Sequence, residues 1–298
     1  MASVPARPIL AMTAMVLLAP ALGIDLSGAT ATCILCAALL LVGLPHGTLD
    51  IERIRAATRQ AHGGMIGLLA LYVALAGIMF FFWQVAPLLA LAVFLATATV
   101  HFSEDWRSMG EPLLGGAMAL SLLTAPALLH GAELTAIFTA VTGMRSAGLV
   151  TDGLLMSAPI ALLIALVGIF DLARRGEHAL AAVAIALISS MVLAPPLVGF
   201  ALFFCLFHSP LHLREAFREV TLTPLRRAMI VSLLTGAALG IAAVLSRIEW
   251  RGTLPASWLA ATFMTLSILT IPHMLAPVLT DGLLMRRSRQ QRCLDRSC

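Results

Sequence analysis

Three short segments place a second ionisable side chain four residues after a histidine: HGTLD from His46 to Asp50, HFSED from His101 to Asp105, and HSPLH from His208 to His212. In a helix this spacing stacks the two side chains on one face. A further histidine, His273, lies in IPHML. Imidazoles with carboxylates beside them suit a first-row transition metal: neutral ring nitrogens bind the ion, and an Asp accepting the other ring N–H fixes the tautomer. His208 and His212 have the spacing of paired ligands on one helix. Asp50 and Asp105 suit either role, ligand or acceptor from a ligating imidazole.

The elements that must position these groups are apolar. The chain of 298 residues is 60% hydrophobic and 11% charged, which exceeds the apolar share of soluble domains. The pattern predicts an all-α, polytopic integral membrane bundle of about ten helices, within a range of about eight to ten. The spans fall at 8–23, 30–49, 65–84, 86–103, 112–129, 153–170, 179–194, 196–213, 227–246 and 257–279. They form a single transmembrane domain, 1–298, whose end at 280–298 is a basic cytoplasmic tail. The first run precedes an ATA sequence that resembles a signal-peptide cleavage site, but its length favours an uncleaved helix. The segment 130–152 is too polar to span and reads as an interfacial or re-entrant helix. Phe80 to Trp83, FFFW, fall at the outer end of the third span, where rings anchor at headgroups.

The 19 basic residues are all arginine, and their distribution orients the chain. With ten spans, sixteen fall at the N-terminal end and in the loops after the even-numbered spans, against three on the other side. Positive charge collects in the cytoplasm, so both termini are cytoplasmic and the even spans run inward. His46, His101, His208 and His273 then come roughly 20–24 Å down a core of about 30 Å, all near the cytoplasmic face. Polar groups at membrane depth face a bundle interior, where they pair or do chemistry. His62 and His178 sit in arginine-bearing loops and His130 at the opposite face, so these three carry no functional expectation.

Composition excludes several classes. The arginines serve orientation, and nothing points to nucleic acid. With no lysine in the chain, a retinal-binding opsin is excluded, because its Schiff base needs a Lys amine. The five cysteines are too scattered for a disulfide framework, and CILC at Cys33 to Cys36 lacks the second pair and polar setting of a metal or redox site.

The segments GLPHGTLD, HFSED, HSPLHLRE and IPHML, in that order from Gly43 to Leu275, resemble the Brp/Blh family of bacterial and archaeal membrane proteins. Members cleave β-carotene at its central 15,15′ double bond with O2 to give two molecules of all-trans-retinal. The resemblance implies a non-haem Fe(II) dioxygenase of the cell inner membrane, with β-carotene drawn from the bilayer and a retinal-accepting opsin as a partner. It places the iron ligands on His46, His101, His208 and His212, with the family's further motif histidine on His273 as a fifth candidate. One departure is Ser103, where the family favours Gly after HF. Such chemistry needs no protein nucleophile, so no catalytic residue is expected beyond the metal centre. A cavity opening sideways between helices would admit the polyene without a passage through water. FALFFCLF, ahead of His208, offers Phe203, Phe204 and Phe207 as lining.

Three other readings compete. A membrane di-iron desaturase or hydroxylase uses clustered histidine boxes with adjacent pairs, and no HH occurs here. A transporter relaying protons or metal ions needs access from both faces, yet the outer halves of the even spans lack ionisable groups. A haem cytochrome uses two axial histidines, fewer than the four gathered at one depth.

Overall fold

A computed structural model describes residues 5–61, 64–219, 222–248 and 252–294. They are helical almost throughout: α1 (Ala6–Leu18), α2 (Ala29–Ala38), α3 (Asp50–Ala61), α4 (Met65–Val85), α5 (Pro87–Ser103), α6 (Pro112–Thr124), α7 (Pro126–Thr142), α8 (Gly148–Arg174), α9 (His178–Leu193), α10 (Pro196–Leu202), α11 (Ser209–Glu219), α12 (Pro224–Ile248) and α13 (Leu254–Leu294). A chain in lipid must satisfy its backbone internally, and helices do so within one segment. Proline marks the start of α5, α6, α7, α10 and α12, where its missing N–H costs nothing and its fixed φ suits the first turn. Gly143 stops α7 with φ 71°, a left-handed conformation that side chains disfavour.

Among the described residues, six helical stretches are long and apolar enough to cross a membrane: Met65–Val85, Pro87–Met109, Arg145–Arg174, Pro196–Arg218, Pro224–Ile248 and Leu254–Ala276. The pair α6–α7, bent by 50°, makes a seventh candidate, and Ala6–Leu22, Ala29–Gly43 and His178–Leu193 are shorter apolar helices. Large apolar side chains face outward along them, including Ile66, Val73, Met156 and Leu233, each at least 70% exposed. Such a surface suits lipid rather than water.

The central post is α13, packed on α2, α3, α4, α5, α7 and α12. Its buried Ser257 and Thr265 bond back to carbonyls one turn earlier, which removes the cost of burying their hydroxyls. On the far side α8 braces α6 and α7, and Gly168 lets α8 approach closely enough that a Cβ there would stand 2.9 Å from Met109 Sδ.

Two differences from the sequence reading have local causes. The chain breaks twice here: α6 and α7 meet at a 50° bend at Ala125–Pro126, where proline interrupts the hydrogen-bond ladder, and His130 leaves helical geometry at φ −121° and ψ 31° within α7. Trp83 is not a headgroup anchor: it is 3% exposed, and its Nε1–H donates to Ser267 Oγ on α13 at 3.0 Å. Of the FFFW group, Phe81 is the one that faces fully outward, at 67% exposure.

Candidate metal centre

Two helices reach the histidine cluster through irregular turns. After α2 the chain winds as a π-helical turn, Leu39–Gly43, then as a 3-10 stretch, Leu44–Leu49, with Pro45 in its first turn. After α10 it winds as a second π-helical turn, Phe203–His208. Such wide turns often mark functional sites, because the extra residue per turn re-aims the side chains beyond it. The two distorted segments lean on each other: Ser209 Oγ donates to Val42 O at 2.7 Å, and Cys205 Sγ to Ala38 O at 3.5 Å. At Gly43 an added Cβ would collide with the Phe204 ring, so only glycine admits this packing. At Gly47 the same atom would stand 3.4 Å from His273 Nδ1.

The third contributor is α5, which carries His101 at its end and then tightens into a 3-10 stretch, Glu104–Met109. Trp106 leaves helical geometry there, at φ −108° and ψ 19°. Asp105 is turned by this tightening into the cluster. His208 Nδ1–H donates to Asp105 Oδ2 and His212 Nε2–H to Asp105 Oδ1, both at 2.8 Å. A second carboxylate does the same for α13: His273 Nδ1–H donates to Asp50 Oδ2 at 2.7 Å, and the Tyr72 hydroxyl stands 3.4 Å from the same oxygen.

The rings converge closely. His101 lies 4.8 Å from His208, 5.3 Å from His212 and 5.2 Å from His273, centroid to centroid, and His208 lies 4.6 Å from His212. One ring nitrogen from each of His101, His208 and His212 falls within 4.8 Å of the others, a spacing that one ion can bridge. Donation of Nδ1–H to a carboxylate puts the lone pairs of His208 and His273 on Nε2, the form a metal requires. His212 differs, because Asp105 faces its Nε2; ligation by this ring uses Nδ1, 3.8 Å from Glu215 Oε2, or displaces that bond. The donor set therefore fits a transition metal. The His46 side chain and His62 lie outside the described residues.

Beside the cluster is an apolar cavity of about 370 Å³. Its polar lining is sparse: Tyr72, His101, Thr270 and His273. Of the three phenylalanines expected to line a cavity, Phe204 does so and also stacks on His208 at 5.2 Å. Phe203 packs on Phe102 and His208, while Phe207 stacks on Trp106 at 4.9 Å. Both α4 and α12 line the cavity, and each packs on α13. Their lining residues Val73 and Ile241 are also 70% and 47% exposed, so the cavity reaches the outer surface beside them. Tyr72 joins the site without a motif to announce it; its one sequence signal is that the single tyrosine of the chain sits in an otherwise apolar span.

A family described as beta-carotene 15,15′-dioxygenase matches residues 37–279, which include every histidine of the cluster. A beta-carotene 15,15′-dioxygenase from uncultured marine bacterium 66A03 is 27% identical over 263 residues, covering 80% of this chain and 90% of the relative. No solved structure matches. With most of its length matched, including the turns that carry the converging histidines, the chain belongs to the beta-carotene 15,15′-dioxygenase family.

Proposed function

We propose that this chain, a carotenoid dioxygenase by family, cleaves β-carotene at the 15,15′ double bond with O2 to give two all-trans-retinal. The observation that carries the reading is the cluster of His101, His208 and His212, joined through His101 to an apolar cavity lined by α4 and α12. Fe(II) would be held by His46, His101, His208 and His212, with His273 as a fifth candidate ligand. Bound by neutral imidazoles, it keeps its full positive charge and supplies the means to bind and activate O2.

The chain's own groups prepare that site. Asp105 holds His208 and His212 through its two oxygens, and Asp50 holds His273, so three rings are oriented without a metal to organise them. Phe204, stacked on His208, limits rotation of that ring. The apolar lining excludes water and aligns a polyene by shape, with His101 and His273 against its reacting bond. The mouth between α4 and α12 takes substrate directly from the bilayer.

The chain forms one transmembrane domain of about ten spans, within a range of about eight to ten, in the cell inner membrane, with both termini cytoplasmic and 280–298 as a basic cytoplasmic tail. The arginine distribution supports this orientation. Retinal released into the bilayer is within reach of a retinal-accepting opsin. The test is expression in a β-carotene-producing bacterium, with pigment and retinal followed by chromatography. Retinal should accumulate as pigment fades, and His208→Ala should abolish it. Unchanged retinal in that variant refutes the site, and pigment retained beside stable, iron-supplied protein refutes the activity.

A further inference from the structure

Helix α5 stands between two apolar spaces. Phe94, Ala98 and His101 recur at helical spacing and face the cavity beside the histidine cluster, whereas Ala92, Ala96 and Thr99 face a groove between α5, α6 and α8. Cavity and groove share no lining residue. The groove is open, at about 600 Å³, and Leu89 and Leu149 in its lining are 57% and 71% exposed, so it faces lipid. The one hydroxyl in its lining, Thr99 Oγ1, donates back to Leu95 O at 2.8 Å.

Between the two lies a crevice of about 50 Å³ at the bend where α6 meets α7, lined by apolar side chains throughout. It shares Leu95 and Leu123 with the groove, and Phe94, Ala98, Phe102 and Phe200 with the cavity. A residue that lines two spaces is the whole thickness of the wall between them. At Ala98 that wall is one methyl, three residues before His101 and about 4.5 Å from it along the helix axis. Size decides what the crevice can hold. One water needs about 10–15 Å³, so the crevice admits a diatomic gas but no arm of a polyene. Apolar voids of this kind stay dry and take up small apolar solutes such as xenon.

The proposed reaction has one substrate of that size. O2 is apolar and dissolves in hydrocarbon, so the lipid against the groove is a reservoir of it. A carotenoid that enters beside Val73 and Ile241 fills the cavity of about 370 Å³ and closes that entrance to a second molecule. Resting on the carotenoid-cleavage reading, we infer that the groove and crevice form a separate route for O2, from lipid past Leu95 and Leu123 and over Ala98 to His101. Leu123 and Phe200, both only partly buried, yield by brief side-chain rotation. The two substrates thus approach from opposite faces of α5, and the narrowness of the crevice keeps the carotenoid out of the gas route.

The test uses Leu123→Trp and Leu134→Phe, which fill the crevice at positions that neither line the main cavity nor carry a metal-binding group. At saturating β-carotene, kcat/KM for O2 should fall at least about threefold, with KM for β-carotene, kcat at saturating O2 and iron content unchanged. Protein loaded with β-carotene without O2 and pressurised with xenon should show bound xenon by NMR, and each variant should lose it. An unchanged kcat/KM for O2 in either folded variant overturns the inference, as does an equal loss for both substrates. If Leu134→Phe fails to fold, Leu123→Trp decides alone. Absence of bound xenon from the unsubstituted protein overturns the route while the cleavage reading stands. If that protein cleaves no β-carotene, the functional reading falls and the route with it.

Discussion

Asp105 is the residue whose replacement is most informative, because one buried carboxylate orients two histidines. Its oxygens lie 2.8 Å from His208 Nδ1 and 2.8 Å from His212 Nε2, and both oxygens must accept for each ring to keep its N–H on the nitrogen that faces the carboxylate. In Asp105→Asn the shape is kept, but one oxygen becomes an NH2 donor. One histidine keeps its bond; the other must accept from the amide, which moves its ring proton to the opposite nitrogen. If that ring is His208, the proton lands on Nε2, where the lone pair for the metal had been. Loss of such a supporting carboxylate typically lowers metal affinity by about 10–100-fold, or about 1.4–2.8 kcal/mol. Purified protein loaded with Fe(II) is dialysed against graded chelator, and bound iron is measured beside retinal formation. Asp50→Asn serves for comparison, since Asp50 carries only His273 among the described histidines, and its loss of affinity should be smaller. Iron affinity unchanged in a folded Asp105→Asn variant would refute the orienting role.

Other perturbations test the packing around the site. Gly43→Ala drives a methyl into the Phe204 ring, which stacks on His208; overpacking should cost about 1–3 kcal/mol in thermal unfolding and lower the rate of cleavage. Trp83→Phe removes the bond to Ser267 and should cost about 0.5–1.5 kcal/mol without changing iron content, as read from unfolding in detergent and metal analysis. Val73→Trp narrows the mouth between α4 and α12 and should raise KM for β-carotene more than it lowers kcat, measured in lipid vesicles carrying the substrate.

The spacing of HGTLD, HFSED and HSPLH, together with the shared depth of the spans, is sufficient to expect a cluster. In the fold the rings of His208, His212 and His273 stand 4.8, 5.3 and 5.2 Å from that of His101. The pairing is not legible in the same way. A spacing of four suggests that each carboxylate serves its own helix, whereas Asp105 takes its bonds from His208 and His212, and Asp50 from His273. The reason lies in the backbone. The π-helical turns at Leu39–Gly43 and Phe203–His208, and the 3-10 tightening after Ser103, rotate these side chains away from their ideal faces. A shift in hydrogen-bond register within an apolar run leaves no mark on hydropathy. Gly43 and Pro45 are the visible signs, since a helix in lipid has little reason to lose a side chain except for close approach, and proline breaks the ladder. The FFFW group misleads for a related reason: composition places rings at an interface, but only the tertiary fold shows that Trp83 has Ser267 to bond inside.

The most direct test of the account is to supply β-carotene and heavy-isotope O2 to the purified, iron-loaded protein, reduce the aldehydes at once to prevent exchange with water, and analyse the products by mass spectrometry. The account predicts retinol from retinal as the sole product, each molecule carrying one oxygen atom from O2. Unequal apocarotenal fragments, oxygen derived from water, or intact β-carotene beside fully loaded protein would contradict it.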